Sequence, residues 1–184
     1  MSGKLTAKRL ELQRELVPKI TRVALLINPH GSVAEVTVRD VQVAAQAMGL
    51  QTAVYQASSS REIDAAFDAI VRDRANALLV ANDPLFTARR VQLVHLASRY
   101  GIPGSYGNRL FTMVGGLMAY GSDITDATRQ SAIYAGRILK GAKPEELPVL
   151  QSAKVELIIN MQTARTLGIS VPTSLQVSAD ELIE

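Results

Sequence analysis

Two short segments gather the side chains best suited to hold a small molecule: Asn28-Pro29-His30-Gly31-Ser32 and Asn82-Asp83-Pro84-Leu85-Phe86. An asparagine amide offers a donor and an acceptor, and an ionised aspartate can meet an ammonium group. Each segment leads into a helical pattern, whose first backbone N–H groups are free and carry partial positive charge, so a carboxylate could be held there. Phe86, Tyr106 and Tyr120 could add the apolar walls that small-molecule pockets use. The same residues have a plainer reading. Asn-Pro and Asp-Pro are ordinary turn formers, Asp83 can cap the helix that follows, Phe86 fits a core, and Tyr120 before Gly121 can end a strand.

Reaction chemistry has less to stand on. The histidines are His30, in a loop, and His95, which sits in a helical stretch beside Leu93, Val94 and Leu96 and reads as a packing residue. Two histidines so far apart make no closely spaced metal set. His30 and Asp83 could form a general acid/base pair, but no nucleophile stands in the pattern for them to activate. A nucleophile elbow, a Walker loop and G-x-G-x-x-G are all missing. The chain has no cysteine, which removes disulfides, thiolate metal sites and cysteine nucleophiles together. Neither a cofactor nor a metal is expected, and the chain does not read as an enzyme.

The elements that must position these loops follow from hydrophobic periodicity. Thr6 to Leu16 is an amphipathic helix ended by Pro18, with Leu12 and Leu16 one turn apart. Val23 to Ile27 and Ala77 to Ala81 are continuous apolar runs, as in strands buried on both faces of a parallel sheet. Between them lie a helix from Val33 to Met48 closed by Gly49, a strand over Gln51 to Gln56, and a helix begun by Ser59 and Glu62 at capping-box spacing. A helix over Phe86 to Tyr100, short strands near Gly104 to Tyr106 and Gly116 to Tyr120, and a helix over Thr125 to Leu139 stopped by Gly141 and Pro144 come next. That last helix carries a small-residue stripe of Ala132, Ala135, Gly136 and Leu139. Lys154 to Asn160 reads as a late strand, Thr163 to Leu167 as a short helix, and Pro172 to Glu184 as a closing segment.

Such alternation implies an α/β fold with a doubly wound parallel sheet, because each parallel connection needs a right-handed crossover. With strand order 2-1-3-4-5, the chain reverses between the strands at Val23 and Ala77. Ligands bind beyond the carboxyl ends of strands at such a reversal, which selects the two loops on topology alone.

Composition sets the outer bounds. The 184 residues are 47% hydrophobic and 20% charged, enough for one domain with appendages around a real core. The net charge of +3 is dispersed, with basic residues near acidic ones as in Lys8-Arg9-Leu10-Glu11 and Arg72-Asp73-Arg74. Aromatics are 4% with no Trp, so a nucleic-acid surface is not expected. Met1-Ser2-Gly3-Lys4-Leu5 leads into a charged helix rather than an apolar secretory segment, and no run approaches the ~18 apolar residues of a membrane span.

An ordered set of segments resembles the ABC-transporter substrate-binding family that includes tryptophan- and phenylalanine-binding lipoproteins. They are Lys8 to Leu12 with Leu16-Val17-Pro18, Val23 to Pro29, Asn82 to Phe86, Gly115 to Gly121, Ile138 to Gly141 and Leu167-Gly168-Ile169. The resemblance implies a type I periplasmic-binding-protein-like fold of two α/β lobes that clamp a solute between them. It implies that this chain is mostly the second lobe: a first-lobe helix and hinge over 1–20, the second lobe over 21–122, a first-lobe crossover helix and return over 123–150, and a second-lobe strand and closing segment over 151–184. On that mapping two helices lack their sheet, and a homodimer through them is expected. The implied ligand-facing residues are Asn28, Asn82, Asp83, Phe86, Tyr106 and Tyr120. The implied role is delivery of a small ligand, such as an amino acid, to the permease subunits of an ABC importer, from a periplasmic or membrane-anchored extracytoplasmic position in a longer parent that also carries the first lobe and a signal. A cytoplasmic sensor of the same fold and a small α/β enzyme are the alternatives.

Overall fold

In the structure, a computed structural model, residues 2–143, 147 and 155–184 are described. Strand β1 (Arg22–Ile27) is buried from Val23 onward. Its residues alternate between two cores, Ala24 and Leu26 on one face and Val23, Leu25 and Ile27 on the other, which explains the unbroken apolar run. Strands β2 (Gln51–Gln56), β3 (Ala77–Val80), β4 (Gly104–Tyr106), β5 (Met118–Ser122), β6 (Val155–Asn160) and β7 (Glu181–Ile183) complete one sheet of order 2-1-3-4-5-6-7. Neighbours are parallel except β5 and β6, which are antiparallel. The expected doubly wound α/β sheet is therefore present, with two strands added at one edge.

Helix α2 (Ala34–Ala47) covers one face, whereas α3 (Ser60–Arg72) and α5 (Arg90–Arg99) cover the other. The chain thus leaves β1 toward one side and returns past it on the opposite face to β3. Helix α3 starts as predicted, with Ser59 Oγ accepting from the Glu62 N–H at 3.3 Å. The return bond differs: Glu62 Oε2 accepts from the N–H and hydroxyl of Ser58, both at 2.8 Å, one residue before the cap.

Three expectations change. The single helix over Phe86 to Tyr100 is two, α4 (Pro84–Ala88) and α5, broken at Arg89. Near the break the Thr87 hydroxyl donates back to the Asp83 carbonyl and the Thr87 carbonyl accepts from Arg90 Nη1, both competing with the helical ladder. After α7 (Met161–Thr166), the closing segment is ordered as α8 (Thr173–Ser178) and β7. Asp180 sets β7 in register by exchanging bonds with Leu157 of β6, its N–H to the Leu157 carbonyl and its Oδ2 from the Leu157 N–H, both 2.8 Å. Pro144 and Lys154, read as a helix stop and a strand start, lie outside the described residues.

The third change concerns α1 (Ser2–Leu16). It is not left without a sheet, but packs on α2, β4, β5 and α8. Thr6, Arg9, Leu10, Leu12, Gln13 and Leu16 form its buried face. Leu10 and Leu16 are fully buried and contribute roughly 1.5–3 kcal/mol each. Gln13 Nε2 donates to the carbonyls of Leu78 and Pro103, at 3.0 and 2.9 Å, and so staples the helix across β3 and β4. Helix α6 (Ile124–Leu139) is different, since none of its described side chains is buried, and Ile133, Ile138 and Leu139 are 43%, 43% and 87% exposed. Of the two helices from which a homodimer was expected, α1 is already engaged by its own sheet.

Two outcomes follow from these contacts. Gln13→Ala should lower stability by about 2–4 kcal/mol, through two lost hydrogen bonds and a cavity, seen as a lower urea midpoint with an unchanged slope. A change within measurement error would deny the staple. The Ser58 N–H, then its hydroxyl, holds the Glu62 carboxyl below its ordinary pKa. Because the folded value is the lower one, this small stabilisation is present above the unfolded pKa and is lost as pH falls through the folded one. NMR titration should place the Glu62 midpoint below those of unbonded glutamates.

Candidate functional site

The two loops selected from topology meet. Asn28, one residue past β1, donates from Nδ2 to both carboxylate oxygens of Asp83 at 3.2 Å. The β1–β3 register pairs Leu25 with Leu79 and Leu26 with Val80, so its continuation brings Asn28 level with Asn82. Each partner is fixed locally as well. Asn28 Oδ1 accepts from the His30 N–H at 3.1 Å, and Asp83 Oδ1 accepts from the Leu85 N–H at 2.8 Å, capping α4. Turn-forming, capping and convergence on one spot are thus realised by the same two side chains.

This geometry narrows the chemistry. Both residues are half-buried, and Asp83 retains lone pairs beyond the bonds it accepts, so it remains a suitable partner for a cation such as an ammonium. Carboxylate binding at the helix starts is corrected. Helix α4 is a single turn whose Leu85 N–H is already taken by Asp83, and α2 carries Glu35 in its first turn. The hollow between Ile27, Asn28, Ala81 and Asp83 is of water size, so this surface alone does not enclose a solute.

Asn82 is exposed beside Asp83, and its Oδ1 accepts from Arg9 Nη1 at 3.2 Å. Phe86 and Tyr106 are corrected as pocket walls. Both are buried in the core beneath the loops, Phe86 because the α4 cap at Asp83 carries it inward, and Tyr106 because it stacks on Phe111 with centroids 4.5 Å apart. Burial also pushes the Tyr106 hydroxyl well above its ordinary pKa, so it remains neutral. They support the site from behind. Tyr120 is half-buried in β5, three strands from β1, packed against the cluster that includes Leu12 and Leu16.

His30 and His95 are both exposed, so His95 is not a packing residue. The bonds of Asp83 go to Asn28 and Leu85 rather than to the His30 ring. Among the described residues no group of three or more His, Cys, Asp or Glu is placed to hold a metal.

The residue that sequence reasoning missed is Arg9. Its neighbours suggested a charge neutralised by Glu11, but Glu11 pairs with Lys8 at 3.0 Å on the surface, while Arg9 turns inward. A signal was available: Thr6, Arg9, Leu10 and Gln13 follow the i, i+3, i+4, i+7 spacing of one helical face. Space around Asn82 is tight. A Cβ on Gly107 would lie 1.5 Å from Asn82 Oδ1 and 2.8 Å from Arg9 Nη1. Gly107→Ala should therefore displace Asn82, cost about 1–3 kcal/mol, and move the Asn82 side-chain amide resonances. Unchanged resonances would contradict this packing.

Comparison with known proteins adds to this geometry. A conserved domain protein from Vibrio cholerae superposes with a TM-score of 0.85 at 21% identity, over 96% of this chain and 60% of that one. An ABC domain from Streptococcus pneumoniae, solved in complex with L-Trp, gives 0.85 at 23% identity, over 97% and 62%. A ligand-free, open substrate-binding protein from Clostridium difficile gives 0.68 at 20% identity, over 96% and 59%. The chain spans about 60% of the length of these relatives. No curated protein sequence matches the chain. The model of the ABC transporter substrate binding protein family matches residues 3–183, nearly the whole chain, and the protein belongs to that family.

Proposed function

We propose that this chain supplies one jaw of a solute-binding protein that captures a small molecule of the amino-acid class and presents it to the permease of an ABC importer. The observation that carries the reading is the Asn28–Asp83 pair at the β1/β3 reversal, a carboxylate held at the cleft edge with acceptor capacity to spare. Family membership supports solute binding, and the L-Trp complex of the Streptococcus relative supports the ligand class. Asn28, Asn82 and Asp83 are the contact residues, and Tyr120 stands farther along the same sheet.

The opposing jaw belongs to a first lobe, to which the exposed helix α6 is assigned with the return that follows it. A hollow of water size accords with such a division, since closure of a second surface must complete the enclosure. The working location is extracytoplasmic, as is general for the family. Among the described residues no helix is long and apolar enough to cross a membrane.

One jaw provides about half the contacts, so this chain by itself should bind weakly. Millimolar L-tryptophan or L-leucine should shift the backbone amide resonances of His30, Asp83 and Leu85, and Asp83→Ala should remove the response. Shifts confined to Val38, Gln42, Val54 and Gln56, which line an open trough between α2 and β2, would refute the assigned site, and submicromolar binding in calorimetry by this chain alone would refute the two-jaw account.

A further inference from the structure

Arg9 is the largest fully buried side chain among the described residues, 1% exposed. Its Nη1 donates to Asn82 Oδ1 at 3.2 Å, but Nε and Nη2 have no hydrogen-bond partner among the described residues. Among the described residues no carboxylate forms an ion pair with it. Burial alone lowers its pKa, to about 10, so the guanidinium remains charged at neutral pH. A buried charge with idle donors has lost its hydration without full replacement, and an apolar side chain of similar size would fill the space without that cost. Packing therefore does not account for an arginine here.

What covers Arg9 shows where its charge is felt. Gly107, directly after β4, lets Asn82 and Arg9 approach where any Cβ would collide. A Cβ on Gly121 of β5 would lie 1.9 Å from the Gly107 carbonyl oxygen, so β5 passes the same turn at backbone distance. The guanidinium thus lies against Asn82 and the Gly107 backbone, past the carboxyl ends of β3 and β4. Inside a low-dielectric wall its field is weakly screened and is felt at Asn82, the exposed residue it bonds. Arginine only donates, so the Asn82 oxygen must face it and Nδ2 must face away, toward the open side.

We infer that Arg9 and Asn82 form the carboxylate-selecting element of the cleft, with Asn82 Nδ2 making the contact and Arg9 acting through it as a positioning residue whose charge favours an anionic group at that spot. The inference rests on the solute-binding reading above and narrows the solute to a molecule bearing a carboxylate beside an ammonium. Asp83, the next residue, receives the ammonium, so the two opposite charges of an α-amino acid meet two adjacent side chains.

L-Tryptophan and L-tryptophanamide, which differ at the carboxylate, separate this inference from the broader one when each is titrated into the 184-residue chain and followed by NMR. The acid should shift Asn82 and Gly107 resonances and bind roughly tenfold more tightly than the amide, the size of one charge-assisted hydrogen bond. Arg9→Met should bring the acid-to-amide ratio to about one, and Arg9→Lys should restore part of it, which a purely structural role would not do. Should Arg9→Met fail to fold, Asn82→Ala at an exposed position should remove the same discrimination. A folded Arg9→Met or Asn82→Ala chain that keeps the tenfold ratio overturns the inference and leaves solute binding at Asp83 standing. Failure of both compounds to move Asn28, Asn82 or Asp83 in the unaltered chain overturns both.

Discussion

Parallel pairing of β1 with β3 is the constraint from which the rest of the molecule follows. Both strands are buried on both faces, so the helices after them must leave in opposite directions, and the sheet opens between their carboxyl ends. That opening is where Asn28 and Asp83 join. Neither residue would reach the other if β1 and β3 were not neighbours, because 55 residues separate them in sequence. The local bonds to the His30 and Leu85 N–H groups then hold both side chains in place.

A second layer of organisation comes from α1, which precedes the first strand yet crosses the middle of the sheet. Its inner face combines apolar anchors with two polar residues one turn apart, Gln13 bonded to the backbone of β3 and β4, and Arg9 bonded to Asn82. Gln13 reaches strand backbone, and Arg9 reaches the loop after β3 that holds Asn82 and Asp83. One helix thereby links the core of the sheet to its cleft edge, and the packing of α1 fixes the orientation of the Asn82 amide.

The far edge is tied by charge. Arg109, in the loop after β4, donates to Glu156 of β6 at 3.3 Å and also to Glu181 of β7. Glu156 is buried, whereas the Glu181 pair is partly exposed and contributes modestly, typically below about 1 kcal/mol. Their effect is positional, since they anchor the antiparallel β6 and short β7 to the parallel body. Asn108 adds a bond to Thr87, joining the loop after β4 to the single turn of α4 behind Asp83.

The order common to doubly wound sheets supplies the central strand order and the two loops at the reversal, while local pattern made the strands and helices themselves legible. Those features depend on residues within one helical turn or one strand of each other, and doubly buried strands announce themselves as unbroken apolar runs such as Val23 to Ile27. Side-chain direction was decided by tertiary packing. Phe86 and Tyr106 have the right chemistry for a pocket wall, but a cap at Asp83 and a stack on Phe111 send them into the core. Arg9 looked like one of several surface charges, and only the docking of α1 on the sheet turned it inward to Asn82. A helix presents one face to its partner, and which face that is depends on where the distant sheet lies, a relation no short stretch of sequence contains.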